Sequence, residues 1–202
     1  MGLLLPDGWN GRFFGDEVLR QCDPQDGVVD RIIQDPGGCV FRPETLLCGQ
    51  NANTSTCLNE DQITTFNQLH NAWVEASNTF ILPGYELGAD SELSGLASEP
   101  DSTSVGYINY MLQVGPGFSW RTGTRISSLS DKLNPGNATA DDFDISPFYK
   151  KGAKLIHYHG YTDPSIATGS GIYYYNHVLK TLKPQGIELG DFYRFFLVPG
   201  ML

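Results

Sequence analysis

Apolar positions along this chain change their spacing from segment to segment, and that spacing predicts the elements. Ile63, Phe66, Leu69, Ala72 and Trp73 recur at intervals of three and four, one face of a helix, and Asn59-Glu60-Asp61-Gln62 opens it. A helix is therefore predicted from Asn59 to about Ser77. Near the C-terminus, Lys154 to His159 reads as a strand, Gly160-Tyr161-Thr162-Asp163-Pro164 as a turn, Ser170 to Leu182 as a helix and Phe192 to Val198 as a strand. Strand, loop, helix and strand make one α/β unit. Residues 2 to 14 are predicted to be extended, with a Pro-Asp-Gly-Trp-Asn-Gly turn cluster between Leu3 to Leu5 and Phe13-Phe14. Residues 15 to 58 read as cysteine-bearing loop. From about 80 to 147 the chain is dense in Gly, Pro, Ser and Asp, with one helix around Ser104 to Val114 and no repeat.

Composition sharpens this outline. Of 202 residues, 40% are hydrophobic and 12% aromatic, enough to bury a core. Thirteen basic against 23 acidic residues give a net charge of −10, which disfavours nucleic acid or an anionic membrane as partner. The longest apolar runs fall far short of the roughly 20 residues that span a bilayer. The first residues show neither a basic n-region nor a long apolar run, so no signal peptide is visible. The four cysteines point elsewhere: an even number confined between Cys22 and Cys57 suggests paired disulfides and an oxidising compartment. The sequons Asn53-Thr54-Ser55 and Asn137-Ala138-Thr139 fit a secreted protein as well.

Between Cys22 and Cys39, the carboxylates of Asp23, Asp26 and Asp30 surround Gly27. Calcium takes six to eight hard oxygen ligands from a loop that can wrap, and carbonyls of intervening residues can complete such a set. The spacing is not that of an EF-hand, which needs a glutamate at its twelfth position. The same residues also make an ordinary solvated turn. Pairing Cys22 with Cys39 would close a ring for which chain entropy gives roughly 3 kcal/mol, and Cys48 with Cys57 a smaller one. Four cysteines allow three connectivities, of which nearest-neighbour pairing is preferred.

The run Cys22-Asp23-x-x-Asp26-Gly27-Val28-Val29-Asp30-x-Ile32, followed by Asp35-Pro36, Cys39, Cys48, Cys57-Leu58 and Gln62, resembles the lid of the tannase and feruloyl esterase family. These are secreted serine esterases of fungi and bacteria with an α/β-hydrolase core and a large inserted lid. The resemblance implies one calcium ion held by the side chains of Asp23, Asp26 and Asp30 and the carbonyls of Val28 and Ile32. It also implies bonds between Cys22 and Cys39 and between Cys48 and Cys57. His157 to Pro164 resembles the family segment that carries the acid of the catalytic triad, at the position of Asp163. Trp9-Asn10-Gly11-Arg12-Phe13 is similar to an early core strand, and Val198-Pro199-Gly200-Met201 to the family's C-terminal segment. The implied fold class is α/β, a partial α/β-hydrolase core with a large inserted lid. Its parts are a core-strand fragment over residues 1–15, a calcium-binding, disulfide-stapled lid over 16–147 and the C-terminal part of the core over 148–202.

A serine esterase needs a nucleophile on a strained elbow, an imidazole, a carboxylate to orient it and donors for the oxyanion. In α/β-hydrolases they follow in the order serine, acid, histidine. No Gly-x-Ser-x-Gly precedes Asp163, and Gly169-Ser170-Gly171 lacks the spacing and lies after the acid. Phe14-Gly15 leads within seven residues to Cys22, where the family carries its nucleophile region, and the sequence stops at Met201-Leu202, where the family's histidine follows. The expectation is an acid without its serine and histidine, inactive as it stands. His157 and His159 alternate along a strand and are expected to be structural, and His70 and His177 lie in helices with no partner at motif spacing. Asp-Pro after a strand is also common turn chemistry. Tyr107, Tyr110, Phe118 and Trp120 are candidates to line a pocket for a phenolic acyl group.

The function implied is hydrolysis of phenolic carboxylic esters, feruloyl or galloyl, or of plant cell-wall esters, through a serine-bound acyl intermediate. The alternative is a non-catalytic, calcium-stabilised module that binds aromatic or polysaccharide ligands.

Overall fold

Phe14, Val18 and Cys22 fall four residues apart and all are buried, the face that a helix hides. They lie on helix α1 (Gly11–Cys22) in a computed structural model that describes residues 11–49, 57–74, 78, 80–90, 93, 102–118 and 126–201. The extended reading of the early segment, and its likeness to a core strand, are thus corrected from Gly11 onward; Trp9 and Asn10 lie outside the described residues. Gly11, Gly15 and the turn cluster before them hide the helical spacing, because glycine lowers helix propensity by about 1 kcal/mol. Tertiary burial supplies what propensity does not. Phe14 stacks on Phe66 with ring centroids 4.9 Å apart, and each of the buried apolar side chains Phe14 and Val18 contributes roughly 1.5–3 kcal/mol.

From α1 the chain enters a tight turn over Asp23–Asp26, closed by Gly27 at φ 90°. Disulfides join Cys22 to Cys39 and Cys48 to Cys57. Helix α2 (Glu60–His70) opens on a capping box: Asn59 Oδ1 accepts the Gln62 N–H (2.9 Å) and Gln62 Oε1 accepts the Asn59 N–H (3.0 Å). It stops at His70, short of the expected Ser77. Asn71 is extended, and the Leu69 carbonyl, left over at the helix end, accepts the Tyr85 N–H (3.0 Å). Trp73 and Val74 form strand β1 (Trp73–Val74), antiparallel to β2 (Phe80–Leu82). Phe14, Val18, Cys22, Ile33, Leu58, Ile63 and Phe66 make the first buried cluster.

Helix α3 (Ser102–Gly106) runs on into a wider helical turn over Tyr107–Met111, close to the helix expected there, and α4 (Ile126–Leu133) follows. The described residues from 102 to 141 belong to one compact unit, in which the Tyr107 hydroxyl is hydrogen-bonded to Ser130 Oγ (2.7 Å). The described residues from 11 to 93 and from 142 onward belong to a second.

In that second unit, α5 (Ser146–Lys150) precedes β3 (Leu155–Gly160), α6 (Gly169–Leu182) and β4 (Tyr193–Val198). β3 and β4 are parallel, with Leu155 opposite Tyr193 and Gly160 opposite Val198. One sheet face packs under α6, where Val178, Leu182, Ile187, Leu189, Phe192 and Tyr193 form the second cluster. Gly171 makes the close approach possible: a Cβ there would stand 3.0 Å from Phe195 and 3.2 Å from His159 Nδ1. The opposite face shows Ile156, Tyr158 and Phe196, which are 73%, 64% and 52% exposed.

Candidate functional site

Asp163 lies on the loop just past β3. Its Oδ1 accepts the N–H groups of Ser165 (2.8 Å) and Ile166 (3.0 Å), which fixes the carboxylate. Its Oδ2 is 3.5 Å from His159 Nε2, whose N–H donates to the Ile166 carbonyl (3.0 Å). The residue before the acid, Thr162, is buried and donates from Oγ1 to the Met201 carbonyl (3.3 Å). Gly160 allows Met201 to lie directly against it, since a Cβ at that position would collide with the Met201 carbonyl. The acid loop and the Val198 to Met201 turn are thus one packed structure, tied again by the Tyr161 N–H to the Val198 carbonyl (2.9 Å).

The disulfide-stapled segment reaches this loop from the other side. The Tyr161 hydroxyl donates to Asp35 Oδ1 (3.4 Å), and Gly88 faces the Thr162 methyl group. Burial raises the pKa of the Tyr85 phenol, and the charge of Asp163 adds to it. Tyr161 is raised by burial and then by the charges of Asp35 and Glu86. Burial also raises Glu86, against the opposing pull of His70. Acidic and phenolic groups crowd one end of the sheet, and the negative charges there disfavour ionisation of the Tyr85 and Tyr161 phenols.

The histidines divide by partner. His157 Nδ1 is hydrogen-bonded to the Tyr193 hydroxyl (2.8 Å), with its ring stacked on Phe195. Burial, then His159, lowers the His157 pKa, and burial pushes Tyr193 up to about 12, so both are neutral core groups at pH 7. His177 donates from Nδ1 to the Tyr173 carbonyl one helical turn back (2.9 Å). His70 has a partner that motif spacing does not show: Nε2 is 2.8 Å from Asp90 Oδ1. Tyr107, Tyr110 and Phe118 belong to the other compact unit, and Trp120 and the sequon at Asn53 lie outside the described residues.

In the acidic loop the carboxylates shape the backbone. Asp23 is 4% exposed and accepts the N–H groups of Asp30 (3.3 Å) and Arg31 (3.0 Å). Asp26 Oδ1 accepts from Val28 N–H (2.8 Å) and Asp30 Oδ1 from Ile32 N–H (3.0 Å). Three carboxylates and the carbonyls of Val28 and Ile32 are a hard-oxygen donor set, the chemistry calcium takes. Among the described residues, no three acidic, histidine or cysteine side chains are gathered as a metal cluster.

A parallel strand pair joined by a helix, with a carboxylate fixed just beyond the first strand, defines this end of the chain as a βαβ unit of an α/β fold. The family model described as tannase and feruloyl esterase matches residues 12–115 and 118–202, and the chain belongs to that family. A probable feruloyl esterase B-1 of Aspergillus oryzae is 35% identical over 193 residues, 92% of this chain and 35% of that protein. The crystal structure of feruloyl esterase B from Aspergillus oryzae matches with a TM-score of 0.87 at 30% identity, over 98% of this chain and 41% of that one. Tannin acyl hydrolase from Aspergillus niger, at 21% identity and a TM-score of 0.73, shares the fold. The chain spans about a third of the length of the curated relatives it matches, 35% of the first and 38% of the second. Among the described residues no helix is long and apolar enough to cross a membrane.

Proposed function

We propose that this chain is the acid-bearing part of a secreted carboxylic ester hydrolase of the α/β-hydrolase type, acting on phenolic esters such as feruloyl or galloyl esters. The observation that carries this reading is Asp163: its carboxylate is fixed by two backbone N–H groups beside the Val198 to Met201 turn. In the reaction the nucleophilic serine forms the acyl intermediate, an imidazole moves its proton, and Asp163 holds that imidazole in the productive tautomer. We assign the serine and the histidine to polypeptide outside residues 1–202, because no Gly-x-Ser-x-Gly precedes Asp163. The disulfide-stapled segment is the lid, facing the acid loop through Asp35, Tyr85 and Glu86.

Two measurements test this. Residues 1–202 alone should release no chromophore from a short chromogenic ester or methyl ferulate, and turnover would refute the assignment of serine and histidine to other polypeptide. In a gene product that joins this segment to an elbow serine and a histidine, Asp163→Asn should lower kcat by about 10⁴. An unchanged kcat would remove Asp163 from the triad.

The acidic loop is proposed to take calcium through the side chains of Asp23, Asp26 and Asp30 and the carbonyls of Val28 and Ile32. The ion would supply a fixed positive charge that braces the loop, and these residues would hold it. The support is the family resemblance and the kind of oxygen donors the loop carries; among the described residues the three carboxylates are not gathered into one cluster.

A further inference from the structure

His70, at the end of α2, has each ring nitrogen on an acceptor. Nδ1 is 2.7 Å from the Tyr85 carbonyl and Nε2 is 2.8 Å from Asp90 Oδ1. A carbonyl and an ionised carboxylate only accept, so the ion pair needs a proton on each nitrogen, whereas neutral imidazole has a single N–H. Asp90 is 2% exposed, and a carboxylate so buried is costly unless paired and hydrogen-bonded. Its second oxygen, Oδ2, accepts the Gly88 N–H (2.9 Å).

Gly88 carries the connection to the acid loop. Its φ is +106°, and a Cβ there would stand 2.8 Å from Thr162 Cγ2 and 3.5 Å from Ile33 Cδ1. Backbone therefore lies directly on the residue that precedes Asp163. Tyr85, at the start of the same turn, feels the charge of Asp163.

We propose that His70 is a positioning residue: as a doubly protonated imidazolium it clamps the Tyr85 to Asp90 turn to the end of α2, and through Gly88 that turn fixes the Thr162-Asp163 loop. The clamp stands on its own geometry; its consequence for catalysis rests on the reading of Asp163 as the triad acid.

The groups around the ring agree on its charge. Asp90 and Glu86 of the turn are the acids that act on it, and Phe66 of α2 covers one side with centroids 4.3 Å apart. A cavity of about 280 Å³ on the side of Pro36, Phe41 and Pro43 is lined by two other titratable side chains, Tyr85 and Glu86. Burial opposes the charge, but the Asp90 hydrogen bond and charge, the Tyr85 carbonyl and Glu86 together raise the His70 pKa above its ordinary 6.5. A raised histidine pKa contributes stability that is complete below 6.5 and is lost as pH rises through the folded value.

Nitrogen-15 and methyl NMR of the purified chain tests the clamp without needing activity. At pH 7 both His70 nitrogens should be protonated, and His70 should titrate above His157. The Gly88 amide and the Thr162 methyl should shift with the same midpoint. Asp90→Asn should lower that midpoint by about one pH unit or more. A neutral His70 at pH 7, or a Thr162 signal that stays flat through the His70 titration, would overturn the proposal. The wild-type titration decides it even where the variant does not fold, and the role of Asp163 fails or stands separately in the hydrolysis assay.

Discussion

Ile32 rests on Gly200: a Cβ built on that glycine, whose φ is +67°, would stand 3.0 Å from Ile32 Cγ1 and 3.2 Å from Cγ2. The end of the acidic loop therefore touches the turn that places Met201 over the acid loop.

Gly200→Ala should lower stability in two ways, through the left-handed backbone, which costs an L residue about 1–2 kcal/mol, and through the clash with Ile32. Gly186 has nearly the same φ, +71°, with nothing within 4 Å of an added methyl, so Gly186→Ala isolates the first effect. Thermal melting should place Gly200→Ala below Gly186→Ala, and Ile32→Ala should bring the two closer. Equal melting temperatures for the two glycine variants would show that Ile32 yields freely.

The calcium reading separates Asp23 from Asp26. Calcium at a hundred times its Kd should stabilise the chain by about 2.7 kcal/mol, seen as a rise in Tm that a chelator reverses. Asp26→Asn should abolish that rise with little change in the metal-free protein. Asp23→Asn should also weaken the metal-free protein by about 1–3 kcal/mol, because its buried carboxylate accepts two backbone N–H groups. A melting temperature indifferent to calcium removes the ion from the account.

The two disulfides should differ when removed singly. Loop-closure entropy gives about 3 kcal/mol for the 17-residue separation of Cys22 and Cys39 and about 2.5 kcal/mol for the nine of Cys48 and Cys57. Cys22 also lies within the first buried cluster, beside Phe14 and Val18, so removing the first pair loses packing as well. Urea unfolding of the two double-serine variants should rank Cys22/Cys39 as the less stable. The reverse order would place the strength of this segment in the smaller ring.

The elements legible in the sequence were those whose signals are local. The capping box at Asn59 and Gln62 and the strand, helix and strand after Lys154 need only their own neighbours, and the structure has them within a residue or two at those ends. α1 was not legible, since its buried face is defined by contact with Phe66, far along the chain, while Gly11 and Gly15 argue locally against a helix. The end of α2 was missed for a similar reason, because it is the Tyr85 N–H that meets the Leu69 carbonyl there. At the site, Asp163 is named through the resemblance of His157 to Pro164 to a family segment, and what the structure adds is local: its Oδ1 accepts the Ser165 and Ile166 N–H groups. His70 and Asp90 were not legible, as the turn that joins them is made by Gly88 lying against Thr162, a contact that no spacing along the chain encodes.

The exposed face of β3 and β4 makes the last prediction. Parallel sheets are found with both faces covered, and a two-stranded pair alone is marginal. Here α6 covers one side, while Ile156, Tyr158 and Phe196 present apolar and aromatic surface on the other. Exposed apolar side chains gathered on one sheet face, here with Arg194 opposite Ile156, mark an interaction site or an aggregation hazard. Residues 1–202 purified alone should bind a hydrophobic dye such as ANS and sediment as concentration-dependent oligomers. Ile156→Thr with Phe196→Thr should reduce both without lowering the melting temperature, since neither side chain is buried in the second cluster. In a longer product where further polypeptide covers this face, dye binding should already be low and the same pair of substitutions should instead destabilise. Absence of dye binding by residues 1–202 would show that the face is covered from within the chain.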